Sequence, residues 1–317
     1  MADGMRPTPD HLEQWISEGQ RLRSQGYRGR FAPTPSGPLH RGNLATALLS
    51  WLAARHENGT WLLRFDDLDT PRLRTGAIDS ACADLHWLGL HWDGPPILQS
   101  QRRGLYNSVL SHWRRSGDLY PCRCSRRQLA AQPLYPGTCR NRRLDWGWQQ
   151  ARLPAWRLRV PEPFSERCGD LVLRRADGFI AYHLATAVDE LALGISEVVR
   201  GADLAAVREA QEAVIAALTP LEPPRYRHGP LLCDASGAKL SKRDGSEGLT
   251  PLKAHSIQSD QVIGLLAADL GLIVPGSALS AKELLQDVNH DPTKLKARLS
   301  ANSSQRLRDQ GGGISPH

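Results

Sequence analysis

Strand-like and helix-like patterns alternate between residues 27 and 65. A short apolar strand ending near Ala32 runs into a loop with three prolines, which fits neither a helix nor a strand. Leucines then recur at helical spacing over residues 43–57, and the apolar run at 61–65 has the composition of a strand buried on both faces. Strand, loop, helix and strand in this order predict the βαβ unit of a doubly wound, nucleotide-binding parallel sheet.

The rest of the chain extends this unit into an α/β fold with a Rossmann-type catalytic domain. After about Tyr120 the alternation stops, and three cysteines, several prolines and many arginines indicate an insertion. The predicted segments are an N-terminal extension (1–26), the first half of the nucleotide-binding domain (27–119), a cysteine-rich insertion (120–180), the second half (181–250), a helical segment (251–286) and a disordered tail (287–317).

Charge and composition narrow the classes of partner. The chain has 40 lysines and arginines against 33 acidic residues, a formal charge of +7 and a pI near 9.3. This balance favours a polyanionic partner, and nucleic acid first. No apolar run is long enough for a membrane span, and no signal-peptide pattern begins the chain. We therefore expect a soluble cytoplasmic protein without a membrane partner.

Lysine is rare in this chain, and two lysines lie close together. Only six of the 40 basic residues are lysines, and Lys239 and Lys242 are three residues apart in a Gly-rich loop. The lysine ammonium is a compact charge on a flexible stem that can follow a moving phosphate, whereas guanidinium is a rigid fork. The pair predicts a phosphate site, and a solvated basic turn is the alternative.

A second phosphate-site pattern, His40-x-Gly42-Asn43, lies at the predicted junction of the first strand and its helix. A helix N-terminus offers unpaired N–H groups and a positive dipole to an anion. Gly42 would let a nucleotide approach the backbone, and His40 can donate to phosphate oxygens. On these residues alone, a plain helix cap remains the alternative.

Taken together, the two patterns resemble the HIGH and KMSKS signatures of class I aminoacyl-tRNA synthetases. The string Arg30–His40 is similar to the opening of glutamyl-tRNA synthetases, and residues 64–69 and 199–204 match two further landmarks of that group. The four strings occur in the right order, and the resemblance covers roughly residues 27–285. It implies a HIGH/KMSKS catalytic domain of the Rossmann type.

Within that group, the resemblance to one particular family is greater. It ends where the anticodon-binding domain of a glutamyl-tRNA synthetase is expected to begin, and with its cysteine-rich insertion it is similar to the glutamyl-Q tRNA(Asp) synthetase family. The resemblance implies an ATP-dependent ligase that activates L-glutamate without tRNA, with Mg²⁺ accompanying ATP, and transfers glutamate to queuosine at the wobble position of tRNA(Asp). Two alternatives stay open: a truncated glutamyl-tRNA synthetase that charges a tRNA 3′ end, and a catalytically silent, zinc-containing RNA-binding relative.

The resemblance also implies two sets of site residues. Those implied for glutamate are Arg30, Phe31, Ala32, Pro33, Thr34, Asp66, Tyr182 and Arg200. Those implied for ATP are His40, Gly42, Asn43, Lys239 and Lys242, of which His40 and Lys242 are catalytic. A substrate with two carboxylates and one ammonium calls for arginines, a carboxylate and a hydroxyl in one pocket. The bidentate fork of Arg200 would distinguish glutamate from glutamine.

Three parts of the matched pattern depart from the family, and in the second signature Leu240 replaces Met and Arg243 replaces Ser. Asp66 stands where the residue that binds the substrate ammonium is usually Glu, and Asp67 is an alternative for that role. Arg41 replaces a small or apolar residue in the first signature, and Asn43 replaces its second histidine. Because both implied catalytic residues are present, we expect the site to be active.

A metal site is predicted in the insertion. Cys122, Cys124 and Cys139 lie within 18 residues of an irregular segment, and thiolates are strong ligands for a structural zinc ion with four donors. The resemblance implies one Zn²⁺ per chain, with Tyr135 as the unusual fourth ligand. A free-thiol cluster and a three-cysteine site completed by water are the alternatives. The remaining, scattered cysteines are expected to be buried apolar residues: Cys82, Cys168 and Cys233.

Overall fold

A computed structural model of the protein describes residues 9–149, 151–230, 249 and 255–300. Lys239, Lys242 and Cys233 lie outside the described residues. The strands are β1 (Arg28–Phe31), β2 (Thr60–Phe65), β3 (Ile97–Leu98), β4 (Leu119–Cys122), β5 (Ala155–Leu158), β6 (Leu171–Arg174), β7 (Glu197–Gly201) and β8 (Arg225–Gly229). The helices are α1 (Pro9–Ser24), α2 (Arg41–His56), α3 (Ala77–Trp87), α4 (Arg103–Ser116), α5 (Arg126–Leu129), α6 (Ser165–Cys168), α7 (Tyr182–Ala192), α8 (Arg208–Leu218), α9 (Ser259–Asp269), α10 (Ala281–His290) and α11 (Thr293–Ser300). Of these helices, none is long and apolar enough to cross a membrane.

The parallel strands bring three chain segments to one sheet edge. β1, β2 and β3 pair in parallel in that order, and β7 pairs in parallel with β8. β7 lies beside β1, because the N–H of Ser196 donates to the carbonyl of Arg28 (2.9 Å) and the Arg30 side chain donates to the carbonyl of Val199 (3.3 Å). The carboxyl ends of β1, β2 and β7 therefore lie together, at the edge where open α/β sheets bind ligands. The predicted α/β fold with parallel strands is confirmed.

Helix α2 is held on the sheet by the apolar face that its sequence predicts. Leu44, Leu48 and Leu52 recur every four residues and are all buried. They belong to one core cluster with Trp61 and Phe65 of β2. Fully burying a leucine contributes about 1.5–3 kcal/mol, so this face fixes the position of the α2 N-terminus relative to the strand ends.

The predicted insertion contains an antiparallel sheet. β4, β5 and β6 pair in that order, with Cys122 at the end of β4. Leu158 and Leu173 of this sheet share a second core cluster with Trp113 of α4 and Leu184 of α7. The sheet is thus anchored to the helices of the nucleotide-binding part, and its first strand ends at Cys122.

The N-terminal segment was predicted to be an extension, but its described residues pack against the rest of the fold. Helix α1 belongs to the second core cluster through Leu12, Trp15 and Ile16. Gly19 of α1 approaches α7 so closely that an added Cβ would lie 1.8 Å from the Leu191 carbonyl oxygen. Residues 9–24 are therefore part of the packed structure. The glycine permits a backbone approach that the amphipathic pattern alone did not indicate.

The prediction that residues 287–317 form a disordered tail is wrong for residues 287–300, which are largely helical. Helix α10 continues to His290, and α11 covers residues 293–300. Leu284, Val288 and Leu295 are buried in the first core cluster. These apolar residues are widely spaced in a polar sequence, so the polar composition of the segment did not indicate them. They form an apolar stripe that packs against the first core cluster. Residues 301–317 lie outside the described residues.

Candidate active site and metal centre

The first signature forms the N-terminus of α2. His40 is the N-cap residue, and its Nδ1 accepts a hydrogen bond from the Asn43 N–H (3.3 Å). A Cβ on Gly42 would lie 3.2 Å from the His40 ring, so glycine lets this ring lie close to the first turn. The first turn contains no acidic residue, so its positive end is not neutralised. The helix-cap interpretation is correct, and it coexists with an N-terminus that suits a phosphate.

Arg41 is directed away from this N-terminus. Its Nε donates to Asp269 of α9 (2.5 Å), and its Nη2 forms a second, shorter bond to the same carboxylate. Bidentate pairing of this kind satisfies the guanidinium. The departure of Arg41 from the family pattern therefore has a structural partner, the acid at the end of α9.

Three buried arginines lie at the ligand-binding edge of the sheet. Arg30 of β1, Arg64 of β2 and Arg200 of β7 each lie one residue before the end of their strand, and each is at most 4% exposed. Each guanidinium also keeps one buried nitrogen without a hydrogen-bond partner among the described residues: Nε of Arg30, Nη1 of Arg64 and Nη2 of Arg200. A buried donor left unpaired costs about 1–3 kcal/mol. The cluster is therefore suited to an anionic ligand.

The arginines are oriented by a buried network of partners. Arg30 donates to Glu190 (2.9 Å), which also accepts from the hydroxyl of Tyr226 (3.1 Å). Arg200 lies over the Tyr226 ring at 4.8 Å and donates to Gln211 (2.6 Å). Burial lowers the pKa of Arg200, so a bound carboxylate would stabilise its charged form.

The two neighbouring aspartates have different hydrogen-bond partners. Both carboxylate oxygens of Asp67 accept from Ser100, one from its N–H (2.7 Å) and one from its hydroxyl (2.5 Å). Asp66 is buried and accepts from Arg64 (2.8 Å). Burial raises the pKa of Asp66, although the charge of Arg64 opposes the shift. A further cation beside Asp66 would favour its ionised form, whereas each carboxylate oxygen of Asp67 already accepts a hydrogen bond from Ser100.

Arg64 and Asp189 belong to the same buried network and were not among the residues predicted for the site. Asp189 is fully buried, and it accepts from Gln99 (2.9 Å), Arg102 (2.7 Å) and Tyr106 (2.9 Å). Its distance to Arg64 is 3.7 Å. Arg64 thus forms ion pairs with both Asp189 and Asp66. A charged residue inside the apolar run of β2 was the available signal, because a buried charge requires a partner.

The remaining residues implied for glutamate line the loop after β1 and the start of α7. The N–H of Asp66 donates to the carbonyl of Pro33 (3.1 Å), which places the half-buried Thr34 beside the end of β2. Phe31 is buried and stacks on Trp61 at 6.3 Å, so its side chain belongs to the core. Tyr182 is 36% exposed at the first position of α7.

The three predicted metal-binding cysteines come together. The sulfurs of Cys122, Cys124 and Cys139 all lie within 4.8 Å of one another, and Cys124 and Cys139 are 3.6 Å apart. The Tyr135 hydroxyl oxygen lies 3.5 Å from the Cys122 sulfur and 3.9 Å from the Cys124 sulfur. Burial raises the pKa of the Cys124 thiol to about 11. The cluster offers four soft or polar donors around one point.

Comparisons with known proteins agree with this geometry. Residues 27–134 and 161–256 match the profile described as tRNA synthetases class I (E and Q), catalytic domain. The chain is 61% identical over 283 residues to a glutamyl-Q tRNA(Asp) synthetase of Parasynechococcus marenigrum, covering 89% of this chain and 96% of the relative. It is 44% identical over 255 residues to a glutamyl-Q tRNA(Asp) synthetase of Cupriavidus metallidurans, covering 71% and 80%.

Solved structures show the same fold at lower identity. A glutamate-tRNA synthetase from Elizabethkingia anophelis superposes with a TM-score of 0.66 at 24% identity. The match covers 82% of this chain, which spans 65% of the length of that structure. From the profile match and the close relatives, the chain belongs to the class I tRNA synthetases of the E and Q group, and within that group to the glutamyl-Q tRNA(Asp) synthetase family.

Proposed function

We propose that the chain is an ATP-dependent ligase that activates L-glutamate and transfers it to queuosine at the wobble position of tRNA(Asp). The observation that carries the activation step is the group of three buried arginines, each with an unpaired donor, at the carboxyl ends of β1, β2 and β7. The names of the close relatives support the acceptor. Both the dicarboxylate substrate and the parallel-sheet edge fit this chemistry.

The proposed glutamate pose follows from charge. Arg200 binds the side-chain carboxylate of the substrate, and Arg30 lies beside it in the same buried network. Asp66 binds the substrate ammonium, and this cation would offset the effect of burial, which raises the pKa of the Asp66 carboxyl. The hydroxyls of Thr34 and Tyr182 complete the pocket. Asp67 has a structural role in this proposal, because Ser100 occupies both of its oxygens.

In the proposed reaction, an oxygen of the glutamate α-carboxylate attacks the α-phosphorus of ATP in line, and pyrophosphate leaves. His40 and the N–H groups of the α2 N-terminus bind the phosphates, and Lys242 stabilises the charge that develops on them. Mg²⁺ bound with ATP would neutralise charge on the leaving pyrophosphate. A queuosine hydroxyl then attacks the carbonyl carbon of the mixed anhydride, and AMP leaves.

Isotope exchange between ATP and pyrophosphate tests the activation step. With L-glutamate and no tRNA, the protein should exchange pyrophosphate into ATP, because adenylate formation is reversible and requires no acceptor in this proposal. Glutamine should support little exchange, since Arg200 would face a neutral amide. A catalytically silent RNA-binding protein would give no exchange with either amino acid, and that result would contradict the proposal.

We also propose that the cysteine cluster is a structural zinc site with Tyr135 as the fourth ligand. Tetrahedral zinc with bonds of about 2.3 Å to sulfur requires sulfurs about 3.8 Å apart, and a phenolate oxygen about 3.5 Å from each sulfur. The Cys124–Cys139 distance of 3.6 Å and the Tyr135–Cys122 distance of 3.5 Å are close to these values. The Cys139 N–H donates to the Tyr135 oxygen (2.8 Å), which orients it towards the sulfurs.

Metal analysis should find about one zinc per chain in protein purified without added zinc. Cys139→Ser should lose most of this metal, because one of the three thiolates among the four ligands is removed. Cys168→Ser is the matched control: Cys168 is a half-buried thiol in α6, outside the cluster, and its replacement should leave the zinc content unchanged. Less than about half an equivalent in the wild-type protein would exclude a structural site.

A further inference from the structure

The excess positive charge of the chain is concentrated in residues 120–180. This segment contains 12 arginines, no lysine and five acidic residues, and the rest of the chain has 28 basic and 28 acidic residues. The formal charge of +7 therefore comes from these 61 residues alone. Such a one-sided distribution provides an electrostatic surface for a polyanion, whereas the nucleotide-binding part is balanced.

Arg123 binds one loop in this segment, the 145–152 loop, of which the structure describes residues 145–149 and 151–152. Its guanidinium donates to three carbonyls of the loop: those of Asp145 (3.1 Å), Gly147 (2.6 Å) and Arg152 (3.1 Å). Arg152 in turn donates to the carbonyl of Cys124 (3.1 Å). Because Arg123 lies between Cys122 and Cys124 in the chain, the cysteine cluster and the 145–152 loop are held together as one unit.

The two tryptophans of the 145–152 loop have opposite environments. Trp146 packs edge-on against Trp156 at 5.0 Å, and the Arg114 guanidinium lies over its ring at 4.5 Å. Trp148, two residues on, is 69% exposed. An exposed indole on a fixed loop is unfavourable in water, and it is preorganised to stack on a flat apolar partner at little entropic cost.

Four exposed arginines without an ion-pair partner among the described residues precede the 145–152 loop in the chain. Arg142 and Arg143 precede it and are exposed, and Arg126 and Arg127 are exposed at the start of α5, two and three residues after Cys124. Within the part of the chain that the structure describes, no acidic group forms an ion pair with any of these four. Since Arg152 ties the loop to Cys124, all four side chains start within a few residues of it.

We propose that the 145–152 loop and the four arginines that precede it form the contact surface for an RNA stem-loop, with Trp148 stacking on an unpaired base and the arginines binding phosphates. Aromatic rings recognise splayed bases of RNA loops, and basic side chains follow the backbone. The inference rests on the proposed function for its reason to bind RNA, and it deepens that proposal by assigning the surface. Arg123 is a positioning residue, because it acts through the loop.

Binding of two RNAs to the full-length protein tests this surface directly. The probes are an RNA stem-loop with the sequence of the tRNA(Asp) anticodon arm and a blunt RNA duplex of the same charge, with Kd measured by fluorescence anisotropy at one fixed salt concentration. Trp148→Ala should weaken binding of the stem-loop about ten- to a hundredfold and leave duplex binding within about twofold. Trp148→Phe should restore most of the loss, because a phenyl ring also stacks.

Two controls separate this inference from the proposed function. Val274 is 72% exposed on another part of the chain, and Val274→Ala should change neither Kd. Pyrophosphate exchange without tRNA should be unchanged in Trp148→Ala, which also shows that the variant folds. Stem-loop binding by Trp148→Ala within twofold of wild type, or an equal loss in Trp148→Phe, would overturn the inference. Absence of exchange in the wild-type protein would instead overturn the proposed function.

Discussion

Replacing Arg200 with alanine should lower kcat/KM for glutamate in pyrophosphate exchange by about 10²–10³-fold. Removing one partner of a buried, hydrogen-bonded charge pair costs roughly 2–5 kcal/mol, because the other charge stays unpaired. In the variant, the carboxylate of bound glutamate would face a cavity lined by Gln211 and the Tyr226 ring. Arg200→Lys should recover little, since a single ammonium cannot reproduce the bidentate fork.

Arg225 provides the matched control for this experiment. It is an exposed arginine at the start of β8 that pairs with Glu197 (3.2 Å). Because exposed pairs contribute little, Arg225→Ala should retain exchange activity within about twofold. A loss of less than about fivefold in Arg200→Ala would show that glutamate is bound elsewhere.

Replacing Lys242 with alanine should lower kcat for exchange by about 30- to 1,000-fold, corresponding to roughly 2–4 kcal/mol for one preorganised donor to the transition state. The KM for glutamate should change little, because our proposal assigns Lys242 to the phosphates of ATP and not to glutamate. The measurement is the initial rate of exchange at saturating ATP and glutamate.

Lys282 and Lys239 give the comparison for Lys242. Lys282 is an exposed residue of α10, and Lys282→Ala should leave kcat unchanged. Lys239→Ala should have an intermediate effect, since we assign this residue a lesser, positioning role. A normal exchange rate in Lys242→Ala would remove the lysine from the reaction.

Patterns in the local sequence predicted individual helices and strands such as α2 and β2. The leucine spacing of α2 and the continuous apolar run of β2 are local patterns, so both elements were predictable. The position of His40 at the N-terminus of α2 was predictable for the same reason. The three cysteines were also predictable as a cluster, because short spacing in an irregular segment limits how far they can separate.

Contacts between residues far apart in the chain could not be predicted from the local sequence. Nothing near Arg64 in the chain indicates that Asp189 lies 3.7 Å away, and nothing near Asp67 indicates that Ser100, 33 residues downstream, donates to it. The packing of α1 and α11 was missed for the same reason. Each of these helices is mostly polar and becomes stable only through a few apolar contacts with distant elements.

The acceptor is the central claim, and one labelling experiment tests it most directly. The protein is incubated with labelled glutamate, ATP and tRNA(Asp) from which the 3′-terminal adenosine has been removed, prepared with and without queuosine. Our account predicts stable labelling of the queuosine-containing tRNA and none of the queuosine-free tRNA. Labelling that requires the 3′ adenosine and is indifferent to queuosine would show that the chain charges a tRNA 3′ end, and would contradict the account.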